Sequence, residues 1–413
     1  MSHSSKPAQP AGPRASQADA GDRIPDWDPW SPESKADPYA VQADLRERCP
    51  FPFTDRLGGF TAITRYADIV QAVHDTQHFR NGLAPKLGRP MPPLETDPPL
   101  HTVYRRLLQP FFSVPRMRTI EHQLRAFTVD LLESLLPRGR ADFAESFTFI
   151  LPVRAFCFLL NLPDTDWPQI KEWSRDAYTV YAHVPEYKER FAASNAALYA
   201  YSHALLEERR RHPLDPTEDM TTLLSQSSID GVPIDDDTIV GAIRLLLTAG
   251  HESTNSGLAN CILYLALHPE SQAHLRANPA AIPVAVEEML RWDTPIMAMP
   301  RVVAKDVELG GHQFKAGESV YLHYSSGNRD ARKFPDADSC VLDRKPNAHL
   351  VFGQGIHTCM GAPLARVEIK LALEELLART SSFALDGEVG RTIFHRRGVT
   401  SLPLRFERRE SLS

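Results

Sequence analysis

Cysteine is scarce in this sequence and widely scattered. The five residues, Cys49, Cys157, Cys261, Cys340 and Cys359, form no C-x-x-C pair and no dense framework. That excludes a zinc cage of paired cysteines and a secreted disulfide scaffold, and points to a reducing cytoplasm. Long apolar runs are absent as well: no stretch approaches the roughly 20 residues that span a bilayer. The N-terminal residues, rich in Ser, Pro, Ala and Gln, lack the charged start and apolar core of a secretory leader, so neither secretion nor a membrane anchor is expected. Neither sign of charge prevails, with 46 Lys and Arg against 52 Asp and Glu and a net charge of −6, which leaves no electrostatic case for nucleic acid. There is no internal repeat, no charged block, no glycine-rich dinucleotide fingerprint and no iron–sulfur cysteine spacing.

What is present is an ordinary globular composition, 42% hydrophobic and 24% charged over 413 residues. Apolar residues recur at three- and four-residue spacing over 39–49, 66–75, 101–112, 113–136 and 191–211, which predicts a mainly α fold. Short β-branched segments at 62–64, 301–309, 319–323 and 399–406 predict small antiparallel β-sheets. Residues 1–25 hold too few large apolar groups to offset the entropy of ordering them and read as a disordered tail. Nothing forces a boundary after it, so 26–413 is expected to be a single large domain and a monomer. Residues 81–99, with six prolines and two glycines, form a long non-periodic stretch of the kind that borders a pocket.

The most informative cysteine stands in Phe352-Gly353-Gln354-Gly355-Ile356-His357-Thr358-Cys359-Met360-Gly361, just before an apolar-periodic helix. A thiol at a helix start meets unpaired N–H groups and the positive end of the helix dipole, both of which favour the metal-binding thiolate. Gly353 and Gly355 let backbone pass close to a flat ligand. A second anomaly lies in the long helical pattern 235–268, where Ala249-Gly250-His251-Glu252-Ser253-Thr254-Asn255 puts a glycine and a polar cluster into an apolar stretch.

The cysteine segment, with Leu364-Ala365-Arg366 and Glu368 after it, resembles the haem-binding signature F-G-x-G-x-H-x-C-x-G of the cytochrome P450 family. The resemblance runs from about residue 38 to 406 and implies one large helical domain around haem b, with Cys359 as axial ligand. C-x-x-C-H is absent, so covalent haem attachment is not expected. The resemblance further implies that Ala249 and Gly250 make room for dioxygen while Glu252 and a hydroxyl deliver protons. Ser253 stands at the family's alcohol position with Thr254 directly after it, and either hydroxyl fits the relay.

By the same resemblance His101, Arg105, Arg301 and His357 would meet the haem propionates, Phe352 and Gly361 would flank the cysteine, and Glu288, Arg291 and Arg344 would form a structural triad. Substrate contacts would come from Leu245, Ala249, Ile296, Met297 and Ala298, an apolar set. The implied activity is insertion of one oxygen atom from O2 into an apolar small molecule. Electrons would come from a ferredoxin or flavodoxin with its NAD(P)H reductase, guided by a basic patch of Arg105, Arg106, Arg116, Arg118, Arg366 and Lys370. A peroxide-driven peroxygenase and a non-catalytic haem sensor are the alternatives.

Overall fold

In a computed structural model the described residues are 24–81, 91–177, 184–392 and 394–409. The expected tail therefore lies outside them up to residue 23, as do 82–90 of the proline-rich stretch. Helices dominate. Those that build the site are α1 (Leu100–Leu108), α2 (Val114–Leu135), α3 (Ile150–Leu159), α4 (Trp167–Asp176), α5 (Lys188–Arg211), α6 (Asp236–Ala249), α7 (Glu252–Leu267), α8 (Ile282–Trp292) and α9 (Ala362–Arg379).

Helix α2 shows why these segments form. The Ser113 hydroxyl accepts from the Arg116 amide at 3.4 Å and caps the start. Met117, Ile120, Leu124, Leu132 and Leu135 then recur on one buried face, which packs against α9; full burial of such a side chain is worth about 1.5–3 kcal/mol. Helices α7, α8 and α9 share one apolar core with the end of α2, and α1, α3, α5 and α6 share a second.

The long pattern at 235–268 is not one helix. Helix α6 begins with Asp235 accepting from the Thr238 amide at 2.9 Å and stops at Ala249, and α7 resumes at Glu252. The break falls at a glycine, the residue with the weakest helix preference apart from proline; a β-carbon there would overlap the Phe156 ring of α3, and the buried His251 ring packs edge-on against the same phenylalanine with centroids 5.1 Å apart.

The strands of the two larger sheets are β1 (Phe53–Thr54), β2 (Phe60–Ile63), β3 (Phe79–Arg80), β4 (Arg140–Asp142), β5 (Met299–Val303), β6 (Ser319–Leu322), β7 (Thr380–Leu385) and β8 (Pro403–Arg408), and three two-stranded pairs lie within 228–233, 307–314 and 390–401. One sheet has the order β1-β2-β6-β5-β3 and another β7-β8-β4. Pairing within both is antiparallel apart from β2 and β6, which run parallel with Val320 opposite Thr61 and Leu322 opposite Ile63. These two strands are remote in sequence, so no hairpin fixes their relative direction. Among the described residues no helix is long and apolar enough to cross a membrane.

Candidate active site

A cavity of about 370 Å³ lies between the turn that carries Cys359 and the break between α6 and α7. On the first side, Gly353 and Gly355 adopt φ of +66° and +68°, a left-handed conformation that glycine takes without strain. The turn closes as the Cys359 amide donates to the Phe352 carbonyl at 2.8 Å. Phe352, Cys359 and Gly361 all line the cavity.

The Cys359 side chain is open to the cavity; desolvation raises its thiol, while the backbone N–H groups of Gly361 and Ala362, with Arg105 and Arg366, draw it towards the thiolate.

At one end of the cavity His101 and Arg105 of α1 meet Arg301 of β5 and His357 of the turn. The His101 and His357 rings lie 4.2 Å apart. Neither nitrogen of the buried His101 has a hydrogen-bond partner among the described residues. Burial, Arg301, His101 and Arg105 push His357 down to about 3, and burial with Arg105 lowers His101. Two guanidinium groups and two unprotonated imidazoles facing one space suit a ligand with carboxylates, and the thiol suits its metal. The donor set fits a haem.

On the other side Leu245, Ala249, Gly250, Ser253 and Thr254 line the wall. The Ser253 hydroxyl donates to the Ala249 carbonyl at 3.0 Å. Glu252 is not on the wall. It is buried behind it in an ion pair with Arg396, so the expected short run from carboxylate to hydroxyl is not formed in this conformation. Burial pushes the Glu252 carboxyl up, against the opposing pull of Arg396 and Arg175.

Of the expected substrate contacts, Leu245, Ala249 and Ile296 face the cavity, whereas Met297 and Ala298 do not. These two pack into a core with Trp27, Leu45, Phe60 and Phe394. The reason is backbone pairing: the Met297 amide donates to the His395 carbonyl at 2.9 Å, which fixes the facing of the segment, and Met299 and Pro300 take the wall positions instead.

The triad residues do come together. Glu288 and Arg291 are fully buried, with Arg291 Nε 2.7 Å from Glu288 Oε2 and Arg344 Nε 3.0 Å from Glu288 Oε1. Arg291 also donates to the carbonyls of Asn328 and Ala337, and the cluster ties α8 to the chain that leads to Cys359. An E-x-x-R pair on its own reads as an exposed surface bridge; here it is a buried clasp.

The basic patch is weaker than expected. Arg105 faces the cavity, Arg366 pairs with Glu287 at 2.8 Å and Lys370 with Glu121 at 2.9 Å. Arg106, Arg118 and Arg366 are its exposed members.

Three further residues bear on the site. Arg396 carries no motif and is found only through its contact with Glu252. Glu368 matched the family pattern without a role; it lines the cavity, and both its buried oxygens lack a hydrogen-bond partner among the described residues, so burial pushes its carboxyl well up. Arg244, buried on α6 and on the cavity wall, bonds the Ala177 carbonyl and the Asn195 side chain; an arginine inside an otherwise apolar helical run was its one available sign.

Comparison with known proteins agrees with this geometry. The family model described as Cytochrome P450 matches residues 176–407, more than half of the chain. The mycinamicin IV hydroxylase/epoxidase of Micromonospora griseorubida is 36% identical over 337 residues, covering 78% of this chain and 82% of the relative. The vitamin D(3) 25-hydroxylase of Pseudonocardia autotrophica is 33% identical, covering 83% and 87% of the two chains. The solved structure of cytochrome P450 CYP109Q5 from Chondromyces apiculatus superposes with a TM-score of 0.82 at 31% identity, covering 92% of this chain and 97% of the other. Sequence, fold and cavity thus give one answer: the chain belongs to the cytochrome P450 family and is a haem b monooxygenase.

Proposed function

We propose that this monooxygenase inserts one atom of dioxygen into a small-to-medium apolar organic substrate by hydroxylation, epoxidation or dealkylation, with electrons from a separate ferredoxin or flavodoxin and its NAD(P)H reductase. The observation that carries the reading is the opposition of Cys359 and the Ser253–Thr254 hydroxyls across one cavity. The haem, when bound, supplies the dioxygen-activating metal. Everything else is work for the chain.

In this reading the Cys359 thiolate ligates the metal, while His101, Arg105, Arg301 and His357 hold the propionates. Ala249 and Gly250, on the wall opposite Cys359, would leave room for dioxygen, and Gly250 tolerates no side chain because Phe156 closes on it. Ser253 or Thr254 passes protons inward, and Glu252 supplies them from behind the wall. Two protons are needed for each oxygen atom inserted, because the second atom leaves as water.

Leu245, Ile296, Met299 and Phe156 give the wall its apolar character. Two relatives whose names refer to mycinamicin IV and vitamin D(3) support an organic small-molecule substrate. Residues 26–413 act as one haem domain, with 1–25 outside it, in a monomeric protein of the cytoplasm.

The test is turnover in labelled dioxygen with a ferredoxin and reductase, with a flavodoxin and reductase, and with hydrogen peroxide alone. Isotope in the product together with substrate-dependent NAD(P)H consumption supports the reading. Equal turnover from peroxide that survives Glu252→Gln and Ser253→Ala would make the protein a peroxygenase.

A further inference from the structure

A second cavity, of about 510 Å³, shares no lining residue with the haem cavity. It lies between the helix Pro38–Arg48, the last turns of α7 and the end of α8. Its floor is cationic. Arg391 and Arg397 both line it and converge on one carboxylate: Arg397 Nε lies 3.3 Å from Asp293 Oδ1, and Arg391 Nη1 lies 3.6 Å from Asp293 Oδ2. The same carboxylate accepts from the Tyr39 hydroxyl at 2.8 Å. Asn260 locks this floor by donating to the carbonyls of Asp293 and Arg397 at 3.1 and 2.7 Å.

One carboxylate thus serves two guanidinium groups. Arg391 has one further partner, the Asn260 side-chain oxygen at 3.2 Å, and the Arg397 side chain donates through Nε alone. Both terminal nitrogens of Arg397 and Nη2 of Arg391 therefore lack a hydrogen-bond partner among the described residues. Burial pulls the Arg391 guanidinium down, Asp293 opposes that pull and Arg397 adds to it. Two other acids stand at the rim. Asp338 is 76% exposed and engaged by Arg329 at 3.1 Å, and Asp37 is an exposed cap that accepts from the amides of Tyr39 and Ala40. Neither neutralises the floor, which keeps one positive charge in excess.

The walls are of another character. Trp292 and Tyr264 meet edge to face with ring centroids 5.5 Å apart, beside Ala40, Ala43 and Leu263. The planar fork of a guanidinium matches a carboxylate, and ring edges with short apolar side chains suit a flat apolar body. The side chains of Arg391 and Arg397 are 29% and 16% exposed. They are open enough to be reached and enclosed enough for a bound anion to be weakly screened.

We propose that this cavity is a second ligand site that takes a small aromatic carboxylate, its carboxylate on Arg391 and Arg397 and its ring against Trp292 and Tyr264. The ligand is bound there, apart from Cys359, and is not oxidised. The site stands independently of how the substrate is oxygenated.

The experiment uses the holoenzyme with 4-phenylimidazole saturating the haem iron, so that the haem cavity is blocked. The probe is 4-fluorobenzoate, followed by fluorine NMR, with 4-fluorobenzamide as its neutral counterpart and acetate as a carboxylate without a ring. The benzoate should bind saturably with a Kd below about 1 mM, and the amide and acetate should bind far more weakly. Loss of one charge-assisted contact should weaken the benzoate by roughly 10- to 100-fold in Arg391→Gln and in Arg397→Gln. Leu267, 56% exposed on the cavity edge, gives a variant that spares the floor: Leu267→Glu should weaken the benzoate by like-charge repulsion while the reduced carbon monoxide spectrum stays that of the wild type.

Binding that disappears when the azole is added belongs to the haem cavity and overturns the proposal. So does an amide that binds as well as the benzoate, or a benzoate affinity indifferent to both arginine variants. Acetate binding as tightly as the benzoate would overturn the aromatic assignment. Should Arg397→Gln not accumulate, Arg391→Gln and Leu267→Glu carry the same comparison.

Discussion

The wall that carries Cys359 and the wall that carries Ser253 are held by different kinds of connection. The cysteine turn is fixed from within a short stretch of chain: two left-handed glycines, a bond from the Cys359 amide to Phe352, and the start of α9. Behind it, the Glu288–Arg291–Arg344 clasp is fully protein-satisfied. The opposite wall depends on contacts between remote parts of the chain: Phe156 closing on Gly250, and Arg396 reaching Glu252 across 144 positions. The first wall is built to keep one geometry. The second is interrupted at the point where a helix would have been stiffest, and it carries the groups that have to exchange protons.

Substitutions can break that contrast in order of effect. Cys359→His should abolish monooxygenase turnover, and the reduced carbon monoxide complex should lose its strongly red-shifted Soret band; a band unchanged from wild type would show that the ligand is elsewhere. Arg291→Ala leaves the buried Glu288 without its bidentate partner and should cost about 3–5 kcal/mol, read by thermal or denaturant unfolding. Gly250→Leu should cost about 1–3 kcal/mol by overpacking and be partly rescued by Phe156→Ala, because the collision is with that ring.

A pH titration sharpens the contrast further. His251 and His323 are each held down to about 3 by burial, against an ordinary value of 6.5. Between those values the unfolded chain binds the extra proton and the folded chain does not, so stability is fully present above about 6.5 and falls as pH drops towards 3. Each histidine contributes a slope of about 1.4 kcal/mol per pH unit in that window. His251→Phe should remove one histidine's share of the acid-limb slope and leave that of His323, as unfolding at pH 5 against pH 7.5 would reveal. The smallest effect on stability, within about 0.5 kcal/mol, is expected from Ser253→Ala, which loses one bond to the Ala249 carbonyl. The same variant should lower product formed per NAD(P)H, and Thr254→Ala beside it identifies which hydroxyl matters.

These differences also explain what was legible in the sequence. The cysteine turn could be read because its determinants are contiguous, and α2 because its buried positions recur at helical spacing beneath a serine cap. Helix α3 was not found: it is buried on nearly every face, from Leu151 through Leu159, and a helix without a polar side has no period to read. The break at Gly250 is visible as a weak propensity but not as a stop, and the ring that keeps the position a glycine comes from α3. The facing of Met297 and Ala298 is not legible locally, because the alignment of 295–297 is set by pairing with 395–397 and no local pattern encodes that. Arg396 had no local sign at all.

The clasp around Glu288 also bears on when the cofactor joins. It closes a loop of 56 positions between Glu288 and Arg344 using only protein groups, so the entropy of that closure is met before any prosthetic group arrives. Haem uptake then becomes the filling of a prepared slot rather than a nucleus around which the chain must condense. Haem-starved expression should accordingly yield a pool that keeps its helical circular dichroism and is loaded afterwards by added hemin, whereas Arg291→Ala should leave little to load.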